Sequence, residues 1–123
     1  MRIFKTRPFS RFARSEDISD DALRDAVHRA EAGRIDADLG GGVIKQRIAR
    51  RGEGKSGGFR SIILFRRGAR AFFVYGFAKS DRDNIKADEL RGFRRLADEM
   101  LRLDDRALAA AVANGTIVEI DHD

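Results

Sequence analysis

The sequence predicts a single α+β domain, in which a small antiparallel or mixed β-sheet carries N-terminal helices and a C-terminal helix packed on it. Three observations predict this class. A short strand-like segment at residues 2–6 precedes two stretches with helical spacing. Apolar, β-rich runs separated by glycine-containing turns fill residues 43–78, and a long amphipathic stripe follows at residues 85–103. The runs at 43–78 have the composition and turns of strands, and the stripe at 85–103 has the period of a helix.

The N-terminal part predicts one strand and two helices. After the strand RIFKT, the segment PFSRFAR places Phe9, Phe12 and Ala13 on one side of a helical turn, and Pro8 suits the first turn of that helix. Ser19 is a suitable N-cap for a second helix of about three turns. Its apolar face recurs at i, i+3, i+4 and i+7 and consists of Leu23, Ala26, Val27 and Ala30.

The central part predicts the sheet. LGGG at 39–42 is interpreted as a flexible break. In the following GVIKQRIARR, Ile44, Gln46 and Ile48 share one strand face, so Lys45 and Arg47 leave the other face together. RGEGKSGGF at 51–59 is interpreted as a glycine-rich basic loop. The two apolar runs after it, joined at residues 67–69, predict a β-hairpin.

The C-terminal part predicts two helices and an extended tail. The first helix carries the apolar stripe Leu90, Phe93, Leu96, Ala97, Met100 and Leu101. Asp104 is a suitable cap for a short second helix, which Asn114–Gly115 would end before TIVEI reaches the sheet edge. We expect one domain over residues 1–123, with a core of about 1–103 and a C-terminal extension at 104–123.

Composition excludes several classes of protein. Hydrophobic residues make up 42% and charged residues 37% of the chain, enough for one modest core. The absence of cysteine excludes disulfides, thiolate catalysis and zinc–thiolate sites, and the two histidines are far apart. We therefore expect no metal and no cofactor. No apolar run approaches the roughly 18 residues of a membrane span, so we expect a cytoplasmic protein that does not bind membranes.

Positive charge is concentrated in one segment of the chain. The formal net charge is +5, but residues 43–70 alone carry +8 and the remainder −3. A clustered set of cations gains free energy by releasing counterions from phosphates, which favours a polyanion-binding face. The alternative is a basic surface that merely interacts with water.

One run of motifs resembles a known family. A basic strand (GGVIKQRIARR) leads through KSGGFR, a Lys-x-Gly-Gly-x-Arg turn, and a hairpin to VYGFAK, an aromatic strand ending in lysine. This resembles the RelE/ParE superfamily of type II toxin–antitoxin toxins, and most closely its HigB-like branch. The resemblance implies a RelE-like fold and a ribosome-dependent mRNA endonuclease, or mRNA interferase, that inhibits translation. It also implies a cognate antitoxin, the ribosome and mRNA as partners, and either a homo-oligomer or a toxin–antitoxin hetero-oligomer.

Eight residues are candidates for the site. The resemblance places at the catalytic centre Lys45, Arg47, Arg60 and Lys79, and Lys55 matches the basic residue that opens the family's glycine turn. The candidates for RNA contact are Lys55, the neighbouring Arg50 and Arg51 of the basic segment, and Tyr75, which shares a strand face with Lys79 if the strand is regular. Nuclease members often carry a Tyr or His just beyond the last strand, where this chain has SDRDNIK and neither residue. In that segment Asp81, Asp83 and Asn84 fit a helix cap equally well, and Tyr75 fits the core.

Metal-free RNA cleavage sets the chemical requirement. When the 2′-OH attacks the adjacent phosphate, the enzyme takes one proton, gives one and stabilises negative charge. Neighbouring cations disfavour the charged form of a lysine, so Lys45 or Lys79 is a candidate base. Arg47 and Arg60 are candidate phosphate clamps, because a guanidinium binds phosphate bidentately and stays protonated.

Structural and functional alternatives remain open. Lys45 and Arg47 also fit a solvated strand face, and Arg60 fits an ion pair with Asp81 or Asp83. A second functional hypothesis is a catalytically inactive module that binds RNA or the ribosome. A third is a ParE-like inhibitor of DNA gyrase, although ParE-type members tend to lose the basic positions that this chain keeps.

Overall fold

The protein is described by a computed structural model over residues 1–50 and 54–122. Its elements confirm the α+β class with a mixed sheet, N-terminal helices and C-terminal helices. In chain order they are β1 (Arg2–Thr6), α1 (Arg7–Ser15), α2 (Asp20–Glu31), β2 (Ala37–Gly40), β3 (Val43–Arg50), β4 (Gly54–Arg66), β5 (Arg70–Ala78), α3 (Ala87–Met100), α4 (Asp105–Ala113) and β6 (Ile117–His122).

The strands form one sheet in the order β2-β3-β4-β5-β1-β6. β1 and β5 are parallel, and every other neighbouring pair is antiparallel. The tail strand β6 pairs with β1 at the sheet edge, as the sequence predicts. Helices α1 and α2 pack on one face, and α3 and α4 on the other, so the sheet separates two apolar clusters.

The helix starts follow the local chemistry predicted for them. The Ser19 hydroxyl accepts the Ala22 N–H, and the Asp104 carboxylate accepts the Ala107 N–H, which confirms both predicted caps. Helix α3 begins differently. Its N-cap residue is Lys86, whose N–H is accepted by the Glu89 carboxylate. Capping by the acidic cluster at 81–84 is therefore wrong, because that cluster lies before the N-cap position.

Two glycine-rich segments are more ordered than predicted. Gly40, Gly41 and Gly42 have φ values of 82°, 64° and 84°, and they form a tight hairpin turn between β2 and β3 where a flexible break was expected. The predicted loop at 51–59 is also wrong in extent, because β4 already begins at Gly54 and pairs with the end of β3. Residues 51–53 lie outside the described residues.

The core divides between the two faces of the sheet. The cluster under α1 and α2 includes Phe9, Phe59 and Phe73, all with exposures of 1% or less. The cluster on the opposite face includes Leu108 of α4 and Ile117 of β6, also nearly fully buried. The segment beyond residue 103 thus contributes side chains to the core.

Gln46 and Ser61, which pair across β3 and β4, are both fully buried polar residues. Gln46 of β3 is 0% exposed; its amide donates to Ala26 O and Arg34 O, and its oxygen accepts the Asp36 N–H. A buried polar group with every partner present joins elements specifically. Gln46 therefore fixes the middle of α2 and the loop after this helix against β3. Among the described residues, no helix is long and apolar enough to cross a membrane.

Two glycines predict opposite effects of the same substitution. A Cβ at Gly76 of β5 would lie 2.3 Å from Phe12 Cε2, whereas a Cβ at Gly92 of α3 meets nothing within 4 Å. We expect Gly76→Ala to destabilise the fold by about 1–3 kcal/mol through overpacking. Gly92→Ala should stabilise it by about 0.5–1 kcal/mol through helix propensity. Chemical denaturation of both variants tests this, and equal midpoints would contradict the described packing of α1 on β5.

Candidate functional site

The predicted basic residues of β3 and β4 lie on one face of the sheet. Lys45 and Arg47 point away from the buried row Ile44, Gln46 and Ile48, as expected. The strand register then places Arg60 of β4 directly opposite Arg47, and Ile62 directly opposite Lys45. We call Lys45, Arg47 and Arg60 the cationic row. It lies on the face that carries α3.

The cationic row contains a like-charge pair with little compensation. Arg47 and Arg60 occupy directly paired positions, an arrangement that destabilises a sheet when no anion is present. Asp36 offsets part of the repulsion: it accepts the Arg47 N–H at 2.6 Å and lies 3.6 Å from Arg47 Nε. Arg60 donates to the Phe59 carbonyl. Within the described ranges, no ion pair joins Arg60 to Asp81 or Asp83, so that structural alternative is not observed.

Helix α3 covers one end of this face and leaves the cationic row open. Ala97 of α3 and Leu101, the C-cap residue of this helix, pack with Val43 and Leu64 in the second cluster. The approach is close, because a Cβ on Gly42 would lie 2.8 Å from Leu101 Cδ1. Four residues beyond Val43 along β3, the Arg47 side chain is 44% exposed. A polyanion can therefore reach the row from solvent.

A β-bulge brings two aromatic residues to the same face. The β4–β5 register shifts between Ile62 and Ile63, so that Phe73 is opposite Ile63 but Tyr75 is opposite Ile62. The extra residue reverses the side-chain alternation after it. Tyr75 and Phe77 consequently join the cationic row, with ring centroids 5.9 Å apart and Phe77 opposite Arg60.

The sequence analysis did not identify Arg82, which holds these aromatic residues. Its guanidinium donates to the Tyr75 hydroxyl at 3.0 Å and to both carboxylate oxygens of Glu89, at 2.6 and 3.2 Å. It also lies over the rings of Tyr75 and Phe77, at 5.7 and 5.6 Å from the centroids. Only the polar character of the segment SDRDN signalled this residue, and that segment was assigned to capping or to ion pairing.

Asn84 connects Arg82 to the cationic row. Its backbone carbonyl accepts from Arg82 Nε at 2.9 Å, and its side-chain oxygen accepts from Lys45 Nζ at 3.3 Å. The segment after β5 thus bends back over the open end of the sheet. It brings five residues into one hydrogen-bonded set. We call this set the Arg82 cluster, and it consists of Lys45, Tyr75, Arg82, Asn84 and Glu89.

The remaining predicted residues are less closely joined. Lys79 is exposed in the turn after β5, one residue beyond Ala78, which pairs with Phe59. It lies at the same end of the sheet as Arg60. Arg51 lies outside the described residues, and so do the side chains of Arg50 and Lys55. Tyr75 combines its two interpretations, since its ring packs on Phe93 and its hydroxyl lies in the Arg82 cluster.

The ionisation of the Arg82 cluster follows from its hydrogen bonds. The pKa of the Glu89 carboxyl is lowered from its ordinary value, mainly because the carboxylate accepts hydrogen bonds from Arg82 and secondly because it accepts the Lys86 N–H. The same ion pair, followed by the bond to Tyr75, raises the pKa of Arg82. Both groups stay charged at neutral pH. Across the described residues, no group of three or more His, Asp or Glu side chains is placed to hold a metal ion.

The Arg82–Glu89 contact predicts a measurable titration. Folding lowers the pKa of Glu89 from its ordinary value of 4.5. The contact therefore stabilises the fold fully at pH values above 4.5, and this stabilisation is lost as the pH falls through the pKa of the folded state. In Arg82→Gln, the pKa of Glu89 should rise towards its ordinary value, short of it because the Lys86 N–H remains. NMR titration of the carboxyl measures this. Arg91→Gln is the matched control, since residues two apart on a helix do not face each other, and an unchanged Glu89 in Arg82→Gln would contradict the contact.

Comparison with known proteins agrees with this architecture. The profile of the family described as "RelE toxin of RelE / RelB toxin-antitoxin system" matches residues 1–120, nearly the whole chain, including the strand β6 region. No curated protein matches the chain significantly. A six-stranded mixed sheet with four helices is consistent with that family's fold. The chain belongs to the RelE toxin family of toxin–antitoxin systems.

Proposed function

We propose that this toxin is a ribosome-dependent, metal-independent mRNA endonuclease of the HigB-like branch, which stops translation. The observation that carries the proposal is the open cationic row, in which Arg47 and Arg60 face each other across two strands. Two directly opposed arginines are unfavourable without an anion and favourable around a phosphate. Tyr75, which is only partly buried, adds an aromatic ring beside them, which suits RNA with unstacked bases.

The proposed chemistry uses the basic side chains of the site, which belong to arginine and lysine residues. Arg47 and Arg60 bind the scissile phosphate and stabilise the charge that develops on it. Lys45 or Lys79 acts as the general base that takes the 2′-OH proton. RNA would be cut to a 2′,3′-cyclic or 3′-phosphate and a 5′-OH.

Membership of the RelE family implies an antitoxin partner, and the ribosome is the second partner that we propose. A row of cations on an open sheet face binds phosphates but has few groups that orient a flexible strand. Most of the rate would then come from positioning, and an mRNA held by the ribosome supplies it. Retention of Lys45, Arg47 and Arg60 supports a nuclease over a gyrase inhibitor.

Cleavage is expected only when ribosomes are present. Purified toxin added to translating ribosomes should produce cuts within translated codons, because the ribosome bends and fixes the substrate. Mapping of RNA 5′ ends measures this, with the same mRNA in buffer as the control. Equal cutting of free RNA would refute the ribosome requirement. Binding to ribosomes without any cutting would favour the inactive RNA-binding module, and damaged DNA with intact translation would favour gyrase inhibition.

Four variants locate the site on the sheet. Arg60→Ala or Lys79→Ala should abolish growth arrest while changing the melting temperature little, since charges that are exposed or partly exposed at the surface contribute about 0–1 kcal/mol. Arg66→Ala and Arg67→Ala are the controls. Arg66 pairs with Arg70 and Arg67 lies in the turn at the opposite end of the hairpin, where both are exposed.

The controls should arrest growth as the wild type does. Growth curves and thermal melts of all four variants, at matched expression, give the result. If the Arg66 and Arg67 variants lose toxicity as fully as the other two, this proposal has placed the active site at the wrong end of the sheet.

A further inference from the structure

We propose that Tyr75 is the proton donor of the site and that Arg82 is the residue that positions it. This inference rests on the proposed endonuclease function and deepens it. It assigns the proton that the departing 5′-oxygen needs to a hydroxyl on β5. No histidine lies on this part of the chain, since the two histidines are residues 28 and 122.

The hydrogen bond between these residues fixes which way the Tyr75 proton points. A guanidinium has only donors, so in the 3.0 Å contact Arg82 donates and the Tyr75 oxygen accepts. The hydroxyl hydrogen of Tyr75 is not used in this bond. In the part of the chain that the structure describes, no protein acceptor for it is found. Tyr75 is only partly buried, so its hydrogen is available to an oxygen of a bound substrate.

Arg82 has the contacts of a positioning residue. Four directed hydrogen bonds hold it, to Tyr75, Asn84 and both oxygens of Glu89. Its guanidinium also lies over two rings. A group so fully engaged has few donors left for a phosphate. Its effect on the reaction would therefore pass through the Tyr75 hydroxyl.

The location of Tyr75 suits proton transfer to a phosphodiester on the cationic row. Tyr75 is opposite Ile62, and Ile62 is opposite Lys45. The two outer backbones are therefore two strand spacings apart, roughly 10 Å. The long side chains of Lys45 and Tyr75 can converge above Ile62. Asn84 links the two side chains, because its side-chain oxygen accepts from Lys45 Nζ and its backbone carbonyl accepts from Arg82 Nε, and the Arg82 guanidinium in turn donates to Tyr75.

The proposed step balances without a cofactor. The 2′-oxygen attacks phosphorus, the P–O2′ bond forms and the P–O5′ bond breaks. A neutral lysine amine, Lys45 or Lys79, takes the 2′-OH proton, and the Tyr75 hydroxyl gives its proton to the departing O5′. The products are a 2′,3′-cyclic phosphate and a 5′-OH. The phenolate that remains lies beside the Arg82 cation, and solvent returns a proton from the ammonium to Tyr75.

A substrate with a sulfur leaving group separates this role from a structural one. In Tyr75→Phe the ring and its packing remain, and ribosome-dependent cleavage of ordinary mRNA should fall by about 10²- to 10⁴-fold. An mRNA with sulfur in place of the bridging 5′-oxygen at the cut site needs no proton donor, because a thiolate leaves unaided. On that substrate Tyr75→Phe should cut nearly as fast as the wild type.

The outcomes distinguish this inference from the function on which it rests. If the wild type cuts neither substrate on ribosomes, the endonuclease proposal is wrong and this inference is wrong with it. If the wild type cuts but Tyr75→Phe cuts ordinary mRNA at the same rate, or is equally slow on both substrates, only the Tyr75 assignment is wrong.

The positioning role of Arg82 has a readout that needs no activity. Tyr75 is the only tyrosine, and the chain has no tryptophan, so the tyrosine band of the near-UV circular dichroism spectrum reports on this ring alone. Arg82→Lys keeps the positive charge but loses the hydrogen bonds that the guanidinium makes to Tyr75 and Glu89 together. The tyrosine band should therefore weaken, and cleavage of ordinary mRNA should fall while cleavage of the sulfur substrate is restored. Arg95→Lys, an exposed arginine on α3, is the control. An unchanged band together with wild-type cleavage in Arg82→Lys would overturn the assignment.

Discussion

The alternation of side chains along β3 is the constraint from which the site follows. Ile44, Gln46 and Ile48 are all buried under α2, so the residues between them must leave the opposite face. A slip of one residue would bury Lys45 and Arg47 in an apolar cluster, which makes the register strongly specified. Gln46 strengthens it further, because its three hydrogen bonds to the middle of α2 and to the loop after this helix are available in one register only. Pairing with β4 then places Arg60 opposite Arg47 without any further choice.

The same constraint creates an electrostatic conflict that the fold only partly relieves. Asp36 reaches Arg47 from the edge of the sheet, and its position depends on the Gln46 oxygen that accepts its N–H. No comparable carboxylate is found beside Arg60 among the described residues. A charge pair that is only partly relieved lowers stability while the site is empty and favours a phosphate when one arrives. Such local conflicts with good packing are typical of functional sites.

The segment between β5 and α3 has the opposite character, since its charges are closely paired. Arg82 is held by Glu89, Tyr75 and Asn84, and Glu89 also begins α3 by accepting the Lys86 N–H. One arginine thus joins the start of a helix, the end of a strand and the cationic row. A rigid support of this kind is what holds a reactive side chain within the narrow geometry that catalysis needs.

Local chemistry in the sequence determined the caps at Ser19 and Asp104, the hairpin after residue 59, the stripe of α3 and the shared face of Lys45 and Arg47. Each of these depends on residues within a few positions of one another. Tertiary structure alone decided the rest. The first residues of β4, at 54–58, carry no local β signal, and the strand begins there because β3 provides its hydrogen-bond partners. The bulge in β5 turns Tyr75 and Phe77 to the cationic face, and a one-residue shift between two strands leaves no trace in the pattern of either. Arg82 meets Tyr75 and Glu89, each seven positions away, only because the chain bends back over the sheet and α3 packs there, which no periodicity in the sequence encodes.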